Sequence, residues 1–413
     1  MSGGLLIAHP SGNANVRNAA AGLLEAGLLR EFWTGIHWSG ALDAWLPRRL
    51  TRELGRRRFD PSLRPYLRQA PGCEAVRLLA QRVGLSRWTS GEAAPFSPNG
   101  CHVALDRRVA RRLGRLRGLG GVYAYDHAAR DSFVRAGQLG LRRLYDLPIG
   151  HWRALRDVIT EEVERQPQWC SSAPSLDFPD AVYSRKDDEL RLADRIIVAS
   201  TFTRRTLEAF PEPLAPVSVV PYGAPEPLAA LPPAAARAQP LRVLYVGRIG
   251  LGKGIAYLLE AVGRLAGAVE LTLLGSVDGV GAGALRELAR HRMLAPRPHG
   301  EVLDEMARHD VFVFPSLFDG FGLVMLEAMS RGLPVIATTN SGGPDLIREG
   351  VDGFIVPIRD AEAMARHLAG LAEDRERLEQ MRLAALAAAG RRSWEAYRRS
   401  LAAICAAEIG GAR

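Results

Sequence analysis

The chain has 413 residues, 47% hydrophobic and 24% charged, with a formal net charge of +9. That length exceeds one ordinary core, so two domains are expected. The composition suits a globular protein, and no run of about 18 apolar residues suggests a membrane span. The opening MSGGLLIAHPSG lacks a basic start and reads as a first strand, not a signal peptide. Cys73, Cys101, Cys170 and Cys405 form no CxxC pair. Neither a zinc site nor a disulfide framework is indicated, and a cytoplasmic setting is expected.

The charge is uneven. Residues 1–150 hold 23 Arg against 11 Asp plus Glu, a net of +12. Such a half suits an anionic partner (a phospholipid surface, a lipid-linked phosphate or an acidic glycan) or is a solvated basic face. The expectation includes peripheral contact at the inner face of a membrane as an alternative to a freely cytoplasmic protein. The clusters at Arg56, Arg57 and Arg58, at Arg107 and Arg108, and at Arg111 and Arg112 lack interleaved aromatics, which argues against nucleic acid. Only two lysines, Lys186 and Lys253, stand among 54 basic residues.

Short apolar runs alternate with helical patterns, predicting an α/β protein with parallel sheets covered by helices. Strands are expected over 5–8, 122–125, 144–147, 196–199 and 217–220. Residues 38–119, rich in Arg, Pro and Trp, read as helical fragments elaborating the first domain. Residues 224–240, APEPLAALPPAAARAQP, are the linker candidate. Further strands are expected over 241–246, 270–274, 311–314, 334–337 and 354–356, with a helix over about 255–265. The tail, 393–407, reads as a helix anchored by Trp394 and Tyr397.

Four glycine turns follow predicted strands. Gly247-Arg248-Ile249-Gly250-Leu251-Gly252-Lys253-Gly254 offers backbone N–H groups and a helix start to an anion. Arg248 supplies a fork and Lys253 a point charge, enough to neutralise most of a diphosphate. The blander reading is an ordinary turn with two surface cations. In Asp319-Gly320-Phe321-Gly322 the loop opens a helix over 323–330, whose first N–H groups, near Gly322 and Leu323, would face phosphate. Glu327, in its second turn, can accept two hydrogen bonds from a vicinal diol such as a ribose. Asp319 would point toward a sugar. Ser341-Gly342-Gly343-Pro344-Asp345 is a third turn, and His9-Pro10-Ser11-Gly12-Asn13 a fourth. In doubly wound sheets such turns line the carboxyl edge where ligands bind. His127 and His151 also follow predicted strands, although a lone histidine is more often structural.

These motifs, Gly-Arg-x4-Lys-Gly, Pro-Ser-x2-Asp-Gly-Phe-Gly-x4-Glu-Ala-Met-x2-Gly-Leu-Pro-Val-Ile-Ala-Thr and Gly-Gly-Pro, together resemble the retaining glycosyltransferases of family 4. The resemblance covers about 240–360. It implies the GT-B fold, with two Rossmann-like doubly wound domains facing each other across a cleft. The domains would be 1–223 on the acceptor side and 241–392 on the donor side, with 393–413 crossing back onto the first. It implies that Arg248 and Lys253 bind a donor diphosphate and take part in catalysis, and that Glu327 holds the ribose. Backbone amides at Phe321, Gly322 and Leu323 would serve sugar and phosphate, and Gly12 would approach the diphosphate from the first domain. Asp319 stands where the family usually has Glu, contacting the donor sugar. A family histidine that contacts the sugar corresponds first to His151 and second to His127.

The expected activity is transfer of a sugar from a nucleotide-diphosphate sugar, with retention, to a glycan, lipid-linked or small-molecule acceptor. No metal is expected, since no DxD-type motif appears in context and the paired cations can replace one. A phosphorylase of the same fold would need a lysine for a covalent cofactor, for which Lys186 has no context. The alternative is a catalytically weakened nucleotide-binding or partner-binding subunit.

Overall fold

Apolar runs of four to seven residues, bounded by glycine turns, become strands buried on both faces, as parallel sheets demand. The computed structural model describes residues 3–40, 45, 51, 55, 57–89, 94–171, 178–231, 239–265 and 267–410. The first sheet contains β1 (Gly4–Ala8), β2 (Leu29–Thr34), β3 (Leu67–Gln69), β4 (Leu119–Tyr125), β5 (Arg142–Leu147), β6 (Arg195–Val198) and β7 (Val217–Val219). Its order is β3-β2-β1-β4-β5-β6-β7. The second contains β8 (Leu241–Val246), β9 (Val269–Leu274), β10 (Arg292–Leu294), β11 (Val311–Phe314), β12 (Val335–Thr338) and β13 (Gly353–Val356). Its order is β10-β9-β8-β11-β12-β13. All the pairings are parallel, so this is the expected pair of doubly wound sheets.

Both orders reverse direction once, between β1 and β4 and between β8 and β11. Connections leave to opposite faces at such a point and open a crevice at the strands' carboxyl ends. The turn after β8 is 247–254 and the loop after β11 is 315–322, so two of the glycine motifs flank the second reversal. His9 and His127 flank the first.

Three strands escape the sequence pattern. β2 reads LREFWT, but its Glu31 is buried beside Arg112, with Oε1 2.6 Å from Nη2. β3 and β10 are three-residue edge strands carrying arginine. In the predicted linker, residues 232–238 lie outside the described residues, as does Arg56 of the first basic cluster.

Two segments join the layers. The helix Trp394–Gly410 lies against the helix Ala14–Glu25; a side chain at Gly22 would stand 2.9 Å from the Arg398 carbonyl oxygen. Its Glu408 accepts from Arg142 of β5 at 2.6 Å and from Arg195 of β6 at 2.7 Å. Tyr397 packs edge-on against Tyr222. The second segment is the helix Trp152–Arg165 with Trp169 behind it. It follows β5, yet Trp169 is buried in the core of the second sheet. Glu162, buried, accepts from Arg359 Nε at 2.7 Å and from the Tyr257 hydroxyl at 3.2 Å.

Leu401 of the tail helix is fully buried in the core shared with Ala19 and Tyr397. Leu401→Ala should therefore destabilise the protein by roughly 2–5 kcal/mol in urea unfolding. A change near zero would mean that the tail helix does not dock there.

Candidate functional site

The turn after β8 is shaped by its own strand. The Tyr245 hydroxyl donates to the Arg248 carbonyl at 2.8 Å, beneath Gly247. The turn closes at Gly254, whose φ of 63° is left-handed and whose missing side chain would lie 2.0 Å from the Pro315 carbonyl oxygen. Only glycine satisfies both conditions. The loop after β11 is drawn in beside it. Leu317 N donates to Gly252 O at 3.1 Å, and Lys253 Nζ lies 2.6 Å from Asp319 Oδ2. The third turn joins them: Asp319 N donates to Asn340 O and Gly342 N to Phe321 O, each at 3.0 Å. The three glycine turns of the second sheet thus form one hydrogen-bonded unit.

That unit touches the first sheet's layer through Gly320. Its carbonyl accepts from the Ser200 hydroxyl at 2.5 Å and the Thr203 hydroxyl at 2.8 Å. A side chain at Gly320 would stand 2.0 Å from the Pro148 carbonyl oxygen. Phe318 packs edge-on against Phe202, and Asp345 accepts from Thr201 N at 2.7 Å.

Two cavities meet at this unit. One, of about 290 Å³, lies between the layers and is lined by Pro148, Ile149, Leu155, Ile159 and Phe318. The other, of about 550 Å³, belongs to the second sheet alone and is lined by Tyr245, Arg297, His299, Leu323 and Glu327. Arg248, Lys253 and Asp319 line both. Arg248 is two-thirds exposed and only 3.5 Å from an equally exposed Asp278 carboxylate, so little holds it in place. Lys253 is more fixed, held by Asp319.

The structure brings Arg248, Lys253, Asp319, Gly322, Leu323 and Glu327 to one cavity. Phe321 is placed differently. Its N–H donates to Asp319 Oδ1 at 3.1 Å, and its ring is buried against Tyr222. Gly12 lines neither cavity; the space beside it is filled by the Phe59 ring, which a side chain would strike at 2.5 Å. His151 also lines neither. It caps the helix Trp152–Arg165, its Nδ1 accepting from Arg153 N at 3.3 Å, and only 2% of it is exposed between Trp152 and Phe210. Burial lowers its pKa to about 4. The local reason is plain: the residue before a helix is recruited as a cap.

His127 sits elsewhere, at the end of β4, in a left-handed conformation with φ 70°. Its N–H donates to Glu189 at 2.9 Å and its Nε2 lies 3.6 Å from Asp126. Rings of His9, His102 and His127 follow one another at 6.0 Å spacings. Burial lowers His9 and His127 to about 3 and His102 to about 4, so all three are neutral near pH 7. Burial would raise the Asp126 carboxyl, yet Lys186, at 2.7 Å, holds it well below the usual carboxylate range.

Tyr245, Arg297 and His299 are cavity residues that sequence reasoning missed. His299 opens the helix His299–Met306 and places Nε2 2.9 Å from Glu327 Oε1. The only signal was a histidine at a helix start, far in sequence from Glu327. The hydrogen bond to Glu327 raises the His299 pKa above 6.5. A raised histidine stabilises the fold fully below its unfolded pKa, and the contribution is lost as pH rises through the folded value. NMR titration of His299 should therefore show a midpoint above the ordinary value that falls back in Glu327→Gln. An unchanged midpoint would mean that the two side chains do not pair in solution.

Residues 240–374 match the family model described as "Glycosyl transferases group 1". The amylovoran biosynthesis glycosyltransferase AmsK of Erwinia amylovora is 32% identical over 151 residues, 33% of this chain and 37% of that protein. The D-inositol 3-phosphate glycosyltransferase of Streptomyces griseus is 33% identical over 177 residues, again spanning 37% of its length. The match thus covers well under half of these two relatives. Glycogen synthase of Mycobacterium tuberculosis is 28% identical over 332 residues, 76% of this chain and 75% of its own. Among solved structures, sucrose-phosphate synthase from Thermosynechococcus elongatus superposes with a TM-score of 0.67 at 19% identity, over 98% of each chain. The Anabaena protein HepE in complex with UDP-glucose does so with a TM-score of 0.60 at 16% identity, over 98% of this chain and 100% of its own. The chain therefore has the GT-B fold, and its residues 240–374 are matched by the family of group 1 glycosyl transferases.

Proposed function

We propose that the protein is a glycosyltransferase that moves a sugar from a nucleoside diphosphate sugar to an acceptor, with retention of anomeric configuration. The observation that carries this reading is the cavity at the second sheet's reversal, where Arg248, Lys253, Glu327 and the start of the helix Leu323–Ser330 face one space. Two cations and a helix start suit a diphosphate, and a carboxylate suits a ribose diol. The likeness to a fold neighbour in complex with UDP-glucose makes uridine nucleotides the first donors to try.

In the reaction, the bond from the anomeric carbon to the phosphate oxygen breaks and negative charge grows on the leaving diphosphate. Arg248, Lys253 and the N–H groups of Gly322 and Leu323 stabilise that charge as preorganised donors. The diphosphate competes with Asp319 for Lys253. Once Lys253 turns to the phosphate, the Asp319 carboxylate is free to accept from sugar hydroxyls. The acceptor hydroxyl oxygen attacks the anomeric carbon from the leaving-group face, and its proton passes to the departing phosphate oxygen. His127, which like His151 lines neither cavity, is taken as the sugar-side histidine of this reading because it lies at the first sheet's reversal, and as a neutral imidazole it can hydrogen-bond a hydroxyl. Arg248 and Lys253 take the place of a divalent cation, so turnover should persist in a chelator.

One observation favours a second reading, a weakened subunit that binds nucleotide without turnover. Both Asp319 oxygens already have partners, Lys253 and Phe321 N. Release of nucleoside diphosphate from a panel of nucleotide sugars separates the two. Turnover is expected with at least one donor, and Lys253→Ala should lower kcat/KM by roughly 100-fold or more. Glu327→Ala should raise KM for the donor while the fold stays intact. Binding without release for every donor would instead support the weakened subunit.

A further inference from the structure

An amphipathic helix normally turns its apolar face inward. The helix Pro71–Arg82 also leaves an apolar stripe on its outward side. Its buried side carries Ala80 and Glu74, the latter accepting from Arg57 at 2.6 Å and from Arg77 at 2.7 Å. Its outward side carries Val76 and Leu79, continued by Val83 past the helix end, at 40%, 63% and 60% exposure. The spacing of three and four residues places them in one stripe. Leu85 and Trp88 follow, each 44% exposed.

The basic surface adjoins this helix. Arg108 lines a cavity with Gly72 and Cys73 of its first turn. The same Arg108 lines a groove of about 540 Å³ with Arg68, Arg111, Arg112 and Arg115. Arg112 and Arg68 lean on Glu31. Arg108, Arg111 and Arg115 pair with no acid among the described residues. Nothing in the donor reading uses either feature.

We propose that the Val76–Leu79–Val83 stripe and the arginine groove together dock on the surface of an anionic phospholipid bilayer. The stripe enters the boundary between headgroups and acyl chains, and the arginines meet the phosphates. Charge complementarity selects this occupant. A second copy of the chain would bring arginine groove against arginine groove across a twofold axis. A zwitterionic surface, whose phosphates are balanced by its own ammonium groups, would offer the arginines no net counter-charge.

The test uses the full chain and vesicle co-sedimentation, with no turnover required, so its failure would leave the donor reading standing. At low ionic strength the protein should bind phosphatidylglycerol-containing vesicles and leave pure phosphatidylcholine vesicles. Leu79→Glu with Val83→Glu should abolish binding while Tm and nucleoside diphosphate binding are retained. Arg108→Gln, Arg111→Gln and Arg115→Gln should each weaken it roughly fivefold. Absence of binding to anionic vesicles, equal binding to both vesicle types, or undiminished binding by the Leu79 and Val83 variant would overturn the proposal. So would a concentration-dependent dimer that the same variant dissolves, which would assign the stripe to a second copy.

Discussion

The contact that organises the molecule is the approach of Gly320 to Pro148. A loop from the second sheet presses a backbone carbonyl between Ser200 and Thr203 of the first layer. No side chain fits at that point. Because the loop is fixed there, Asp319 on one side and Phe321 on the other have defined directions. Asp319 turns to Lys253, and Phe321 turns into the core beside Tyr222. The glycine turn after β8, the loop after β11 and the turn after β12 then share one set of hydrogen bonds. The site inherits its geometry from this single close approach.

The chemistry of that site is one of exchangeable charge. Without a ligand, Lys253 is neutralised by Asp319, Glu327 is met by His299, and Arg248 is nearly free. Each cation can exchange a carboxylate for a phosphate, and each carboxylate can exchange a cation for hydroxyls. Two of these partnerships are less than one-third exposed at Lys253, Asp319 and Glu327, where electrostatic contacts are weakened less by water than at the surface. On the proposed reading, a basic first half and a compensated donor cavity divide the labour: the surface would attract anions broadly, and the cavity would select one.

The second sheet was legible because its signals are local. A strand, a glycine turn with two cations and a helix start all fall within a short stretch, and the helix Leu323–Ser330 appears at its expected bounds. The doubly wound fold was legible for the same reason. What sequence could not show were pairings over distance. His299 reaches Glu327 from a different helix, and Cys73 lies 2.8 Å from Cys101 although neither belongs to a CxxC pair. β2 was hidden by a buried glutamate whose partner lies on a later helix. His151 attracted attention by following a strand, but the next helix needed a cap. The Trp152–Arg165 helix packs across the crevice, which nothing in its own residues announces.

On the proposed reading, Arg248 and Lys253 build a seat for a diphosphate. Calorimetric titration with a nucleoside diphosphate, the corresponding monophosphate and the bare nucleoside tests it most directly. The diphosphate should bind at least tenfold more tightly than the monophosphate, and Lys253→Ala should remove this preference while Glu327→Gln preserves it. Equal affinity for diphosphate and monophosphate in the unaltered protein would mean that the two cations seat no diphosphate.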